Sequence, residues 1–153
     1  MPFDATAEVG RLYSLEIDAA HAYGCAVSLA PDGAIREELR LFGLEHQRHV
    51  LVLLDVLLRL GRDAPEARPD VKGVVIGALT APRRPLTLED ILEGMRGNEH
   101  LTSSVYAKAL AKPLPRGLRE LLQPLVQDER RHLEWMERMV SRRVWETSWA
   151  SHP

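Results

Sequence analysis

Cysteine is almost missing from this chain of 153 residues, where Cys25 stands alone. A single cysteine excludes an internal disulfide, a rubredoxin-type four-cysteine iron site and a structural zinc knuckle. Aromatic residues make up only 5%, and period-two alternation is scarce, so the strand signal is weak throughout. Neither sign of charge dominates. The formal net charge is −2 and neither end carries a basic tail, which leaves no case for nucleic-acid binding. No apolar run approaches the ~20 residues that a bilayer span requires, so no membrane association is expected. Met1 to Gly10, with Asp4 and Glu8, lacks the basic and apolar regions of a signal peptide. A cytoplasmic location is the expectation that remains.

What the chain does have is helical periodicity, in four places. Its hydrophobic fraction of 45% and its length suit one domain over residues 1–153 with one core. A first helix is predicted over about 5–29, starting after Asp4 and stopped by Ala30-Pro31. Asp32-Gly33 reads as a turn and N-cap for a second helix over 33–60, which Gly61 closes as a C′ residue. Pro65, Pro69, Pro82 and Pro85 make 62–86 a crossover, in which Val71 to Leu79 form a short apolar turn or strand against the core. Thr87 and Asp90 form an N-capping signature for a third helix over 88–112, ended by Pro113 and Pro115. A fourth helix is expected over 116–144, kinked or broken at Pro124. The tail from Trp145 to Pro153 is too short for a fifth bundle helix. Short links within each pair and a long connection between pairs describe an all-α antiparallel four-helix bundle of two hairpins.

An internal repeat carries the functional reading. At an offset of 83 residues Glu16 falls on Glu99, Tyr23 on Tyr106, Glu45-His46 on Asp128-Glu129, and His49 on His132. Residues three apart on a helix share a face, so Glu129 and His132 can reach one metal ion. Residues seven apart share a face as well, which puts Tyr23 with Glu16 and Tyr106 with Glu99. Each tyrosine is placed to hydrogen-bond a ligand carboxylate across the bundle. Carboxylates and imidazoles belong in a core only when paired or metal-bound. This mixed donor set suits iron or manganese, with zinc possible.

Glu on the first helix, a His-terminated pair on the second, Glu on the third and Glu-x-x-His on the fourth resembles the di-iron ferritin-like family, whose ligand set is known in this form. The Glu-to-Tyr spacing is similar to that of rubrerythrins and bacterioferritins, and the likeness spans about residues 5–145. The resemblance implies metal ligands at Glu16, His46, His49, Glu99, Glu129 and His132, with Tyr23 and Tyr106 behind them. It implies an iron-dependent oxidoreductase that reacts with dioxygen or peroxide, and a homodimer. One position departs from the pattern: His46 stands where a bridging Glu belongs. Imidazole does not bridge as a carboxylate does, and Glu45 lies about 100° around the helix. Two metals with one bridging carboxylate, one metal on the Glu99, Glu129 and His132 side, and a relic site all stay open. So does a non-catalytic binding or interaction bundle.

Other residues receive plainer readings. His21, Asp18 and His100 point away from the ligand face. Cys25, Met95, Met136 and Met139 read as core. Arg83-Arg84, Arg130-Arg131 and Arg142-Arg143 read as solvated surface. Trp135, Trp145 and Trp149 are the expected anchor of a subunit contact.

Overall fold

The structure is a computed structural model that describes residues 2–66 and 84–147. Among these residues there are helices and no strands. α1 spans Ala5–Leu29, α2 Ala34–Arg59, α3 Leu88–Leu110 and α4 Arg116–Ser141, followed by a single turn, α5, at Val144–Thr147. α1 packs on α2, α3 on α4 and α1 on α3, while α2 and α4 touch more lightly. Val71 to Leu79, Pro69, Pro82 and Trp149 lie outside the described residues.

Local chemistry accounts for most helix ends. Asp4 caps α1, its carboxylate accepting from the Ala7 amide at 3.0 Å. Thr87 and Asp90 form a reciprocal capping box at the start of α3. Gly61 follows α2 at φ 72°, a left-handed conformation that closes the helix with little steric cost for glycine.

Three expectations are corrected. The second helix begins at Ala34 with Gly33 as N-cap, and Asp32 pairs with Arg36 instead of capping it. The fourth helix is unbroken at Pro124. Pro124 lies on the exposed side of α4, where the carbonyl it frees can be hydrated. That helix also ends at Ser141, before 144, because Arg143 turns left-handed at φ 48°.

Two apolar clusters fill the interior. One gathers Val9, Leu12, Leu53, Leu57, Tyr106 and Leu122, and the other Ala22, Tyr23, Leu39, Phe42, Leu92 and Met136. Along α1 the first cluster uses residues 9–13 and the second 22–30. Glu16 falls between them, at the level of a buried polar layer. Close approach of α1 and α2 depends on Gly43, where a Cβ would lie 3.1 Å from Tyr23 Cβ. Trp135 and Trp145 are partly buried and pack against the second cluster of their own chain. Met95 and Met136 are buried core, and Met139 and Cys25 sit at its edge.

Candidate metal centre

Each helix delivers acid or imidazole to the polar layer at the expected level. α1 brings Glu16, α2 brings His46 and His49, α3 brings Glu99, and α4 brings Glu129 and His132. All six are at most 1% exposed. Their donor atoms form two overlapping groups. Glu16, His46, His49 and Glu129 make one, and His46, Glu99, Glu129 and His132 make the other, the atoms within each lying within 4.8 Å of one another.

His49 Nδ1 is 3.0 Å from Glu129 Oε1 and 3.3 Å from Glu16 Oε1. His46 Nδ1 is 2.7 Å from Glu16 Oε2 and 3.5 Å from Glu129 Oε1. Its other nitrogen, Nε2, lies 3.4 Å from Glu99 Oε1. Ligands bonded to one ion at about 2.1 Å stand about 3.0–3.4 Å apart, so most of these separations match the edges of a coordination shell. His132 Nδ1 is farther out, 3.8 Å from Glu129 Oε2 and 4.0 Å from Glu99 Oε1.

The tyrosines reach across the bundle as their spacing requires. The Tyr23 hydroxyl donates to Glu99 and the Tyr106 hydroxyl to Glu16, both buried. Tyr23 also stacks on His46, with centroids 5.0 Å apart and planes 28° apart, while Phe42 lies 4.3 Å from the His132 ring.

A second set of partners went unrecognised in the sequence. Glu45 Oε2 lies 2.5 Å from His132 Nε2, and Asp128 Oδ2 lies 3.0 Å from His49 Nε2. α2 and α4 therefore each orient a histidine of the other, the arrangement by which metal-binding imidazoles are commonly aimed. Arg131 links both carboxylates, at 2.6 Å from Glu45 and 3.0 Å from Asp128, and Arg48 adds 2.6 Å to Asp128. Arg131 is exposed, as its reading as solvated surface expects, and carries these ion pairs as well. The signal was present in the repeat, since Glu45 and Asp128 are one offset pair and Arg48 and Arg131 are another.

The remaining candidates stay outside the layer. His21 is exposed, 3.8 Å from Cys25 Sγ. His100 is exposed and meets Glu137 at 2.5 Å.

The layer is strongly coupled electrically. Burial pushes the Glu16 carboxyl up, but hydrogen bonds from His46 and His49 outweigh it and hold the group at about 2. Burial pushes His49 down, yet Glu129, Glu16 and Asp128 around it raise it to about 10. His46 rises well above the ordinary imidazole range against the same burial, through Glu129, Glu16 and Glu99. Burial, reinforced by the neighbouring carboxylates, raises both Tyr23 and Tyr106 and keeps them neutral donors.

The fit to a metal ion rests on polar atoms with no hydrogen-bond partner among the described residues. His46 Nε2, His132 Nδ1, Glu99 Oε2 and both oxygens of Glu129 are buried in this condition. Such atoms are costly in a core. They converge, and two nitrogens with carboxylate oxygens form a recognised donor set for a divalent transition metal.

Fold and layer together define an all-helical protein with four long helices around a buried carboxylate–histidine cluster that could hold metal. No protein-family model matches the chain, and neither the curated proteins nor the solved structures compared with it give a match.

Proposed function

We propose that this chain is a ferritin-like metal-binding protein, an antiparallel bundle of two hairpins that holds iron and reacts with dioxygen or peroxide. The observation that carries the reading is the convergence of partnerless Glu99, Glu129, His46 and His132 atoms in a buried layer. The short links at 30–33 and 111–115 favour antiparallel neighbours. Bound iron would supply electron exchange with the oxidant. The chain's own part is positional. Tyr23 and Tyr106 hold Glu99 and Glu16, Glu45 and Asp128 hold His132 and His49, and the flanking apolar clusters exclude water.

Anaerobic loading with Fe(II), followed by dioxygen or peroxide, tests the reading. Fe(II) should be consumed faster than in buffer and at least about one metal should be retained per chain. Consumption at the buffer rate would reject the redox role. Manganese or zinc suits the same donors. His46, in place of a bridging carboxylate, favours a second reading as a non-catalytic metal-binding bundle. One tightly held zinc, inert to oxygen, would select it.

Self-association belongs to the same proposal, and α2 offers an exposed surface for it. Leu41, Leu44, Leu51 and Leu58 are 42–65% exposed. Leu44, Leu51 and Leu58 recur at intervals of seven along α2, the spacing of a two-helix seam. A second copy is the proposed occupant. Light scattering should give a dimer mass for the wild type and a monomer mass for Leu51→Glu. A monomeric wild type would reject the dimer.

A further inference from the structure

The two sides of the polar layer are not prepared alike. On the Glu16 side both oxygens of Glu16 are in use. Glu16 Oε1 accepts from Tyr106 and meets His49 Nδ1, and Glu16 Oε2 pairs with His46 Nδ1 at 2.7 Å. Three partnerless atoms gather on the other side, at His46 Nε2, Glu99 Oε2 and His132 Nδ1, while Glu129 is shared by both sides.

The histidines show the same division. A metal-binding imidazole usually turns its remaining N–H to a carboxylate. His132 does so toward Glu45, and His49 toward Asp128. His46 has the same arrangement, with Nε2 toward Glu99 and Nδ1 on Glu16. Glu16 therefore stands to His46 as Glu45 stands to His132. The Tyr23 ring stacked on His46 opposes rotation away from this position.

Building on the metal-binding reading, we infer that the layer has one resident metal position, formed by His46 Nε2, Glu99, Glu129 and His132, and one weaker, exchangeable position on the Glu16 side that His46 holds closed. With Nε2 engaged by the first ion, Nδ1 carries the ring proton and donates it to Glu16 Oε2. A second cation competes with that bond for Glu16. Glu16 is thus a positioning residue for the first ion and a ligand only for the second. The layer keeps a tight ion beside a place where another can come and go.

Anaerobic titration of the full chain with Co(II), followed by visible absorption and metal analysis, separates the two positions. Losing a buried hydrogen bond to a charged group corresponds to roughly tenfold or more in affinity, so the second equivalent should bind at least about tenfold more weakly than the first. Glu16→Gln should weaken the first equivalent about tenfold, as loss of a carboxylate behind a ligand imidazole does, and remove the second, whereas Glu99→Gln, which deletes a ligand, should weaken the first at least about a hundredfold. Two equivalents of equal affinity would overturn the inference while leaving the metal-binding reading intact. So would loss of the tight equivalent in Glu16→Gln with its survival in Glu99→Gln. No Co(II) uptake by the wild type would overturn both. If either variant fails to fold, an anomalous-scattering map of the wild type with one Co(II) per chain decides. Density beside Glu99 and His132 supports the inference, and density beside Glu16 and His49 overturns it.

Discussion

Removing one hydroxyl from each tyrosine in turn should expose the unequal support of the two buried carboxylates. Tyr23 makes the one close hydrogen bond to Glu99 among the described residues, with His46 Nε2 farther out at 3.4 Å, while Glu16 receives Tyr106 together with His46 and His49. A hydrogen bond to a charged group is worth about 1.5–3 kcal/mol, with the upper end applying where its loss leaves a buried group without a partner. Tyr23→Phe should therefore cost about 3 kcal/mol and Tyr106→Phe about 1.5 kcal/mol. For a chain of this length each kcal/mol moves the midpoint by about 2–4 °C, so the melts should fall by roughly 6–12 °C and 3–6 °C. Tyr13→Phe is the control, since Tyr13 is buried in an apolar cluster and is not among the hydrogen-bond donors to Glu16 and Glu99. The assay is thermal unfolding followed by helical circular dichroism in excess chelator. An equal or larger loss for Tyr106→Phe would refute the reasoning, as would a Tyr13→Phe loss matching that of Tyr23→Phe.

Three further outcomes follow from the same layer and its frame. Glu45→Gln weakens the hold on His132 and should lower affinity for the first metal equivalent about 10–100-fold, whereas Asp128→Asn, behind His49, should leave it nearly unchanged; metal titration reads both. The metal-free protein should be most stable between about pH 4.5 and 6.5. Glu16, lowered from its ordinary 4.5 to about 2, contributes stability that is lost as pH falls toward 2. His49, raised from 6.5 to about 10, contributes stability that is complete below 6.5 and lost as pH rises through 10. Denaturant midpoints across that range check both signs, and a flat profile would contradict them. At the start of α3, Thr87→Ala should cost about 1 kcal/mol in chemical denaturation, because the Asp90 amide loses its cap.

Helix ends and faces were legible because their causes lie within a few residues. The Asp4 cap, the Thr87–Asp90 box and the Gly61 stop are all signals of one helical turn, and the structure has each of them. Pro124 was misread because sequence shows the missing donor and not the side of the helix it faces. The six buried acids and histidines were legible through the repeat, since an offset preserved across two hairpins reports a shared level. Reach between hairpins was not. Glu45 lies one residue out of register with the expected ligand. That same rotation of about 100° carries it past the ligand face to the outer nitrogen of His132. Periodicity tells which residues share a face of one helix, and contact with the opposite pair depends on packing that periodicity does not encode.

The pattern of identity inside the repeat separates chemical demand from volume. Across the offset the apolar layers keep their character but often change residue: Val9 pairs with Leu92, Leu12 with Met95, Phe42 with Leu125, Leu53 with Met136 and Leu57 with Val140. A core needs total volume and pattern more than particular side chains, so such exchanges are tolerated. In the polar layer Glu16 and Glu99, Tyr23 and Tyr106, Arg48 and Arg131, and His49 and His132 are the same residue types, and Glu45 and Asp128 keep the carboxylate. Stability alone would not require this, because replacing buried ionic networks by well-packed apolar groups is often neutral or favourable. On the proposed reading, metal binding is what the layer's cost serves. Its one exchange of type, His46 against Glu129, occurs where a single ring faces Glu16 through one nitrogen and Glu99 through the other. That exchange turns two equivalent halves into two unequal ones.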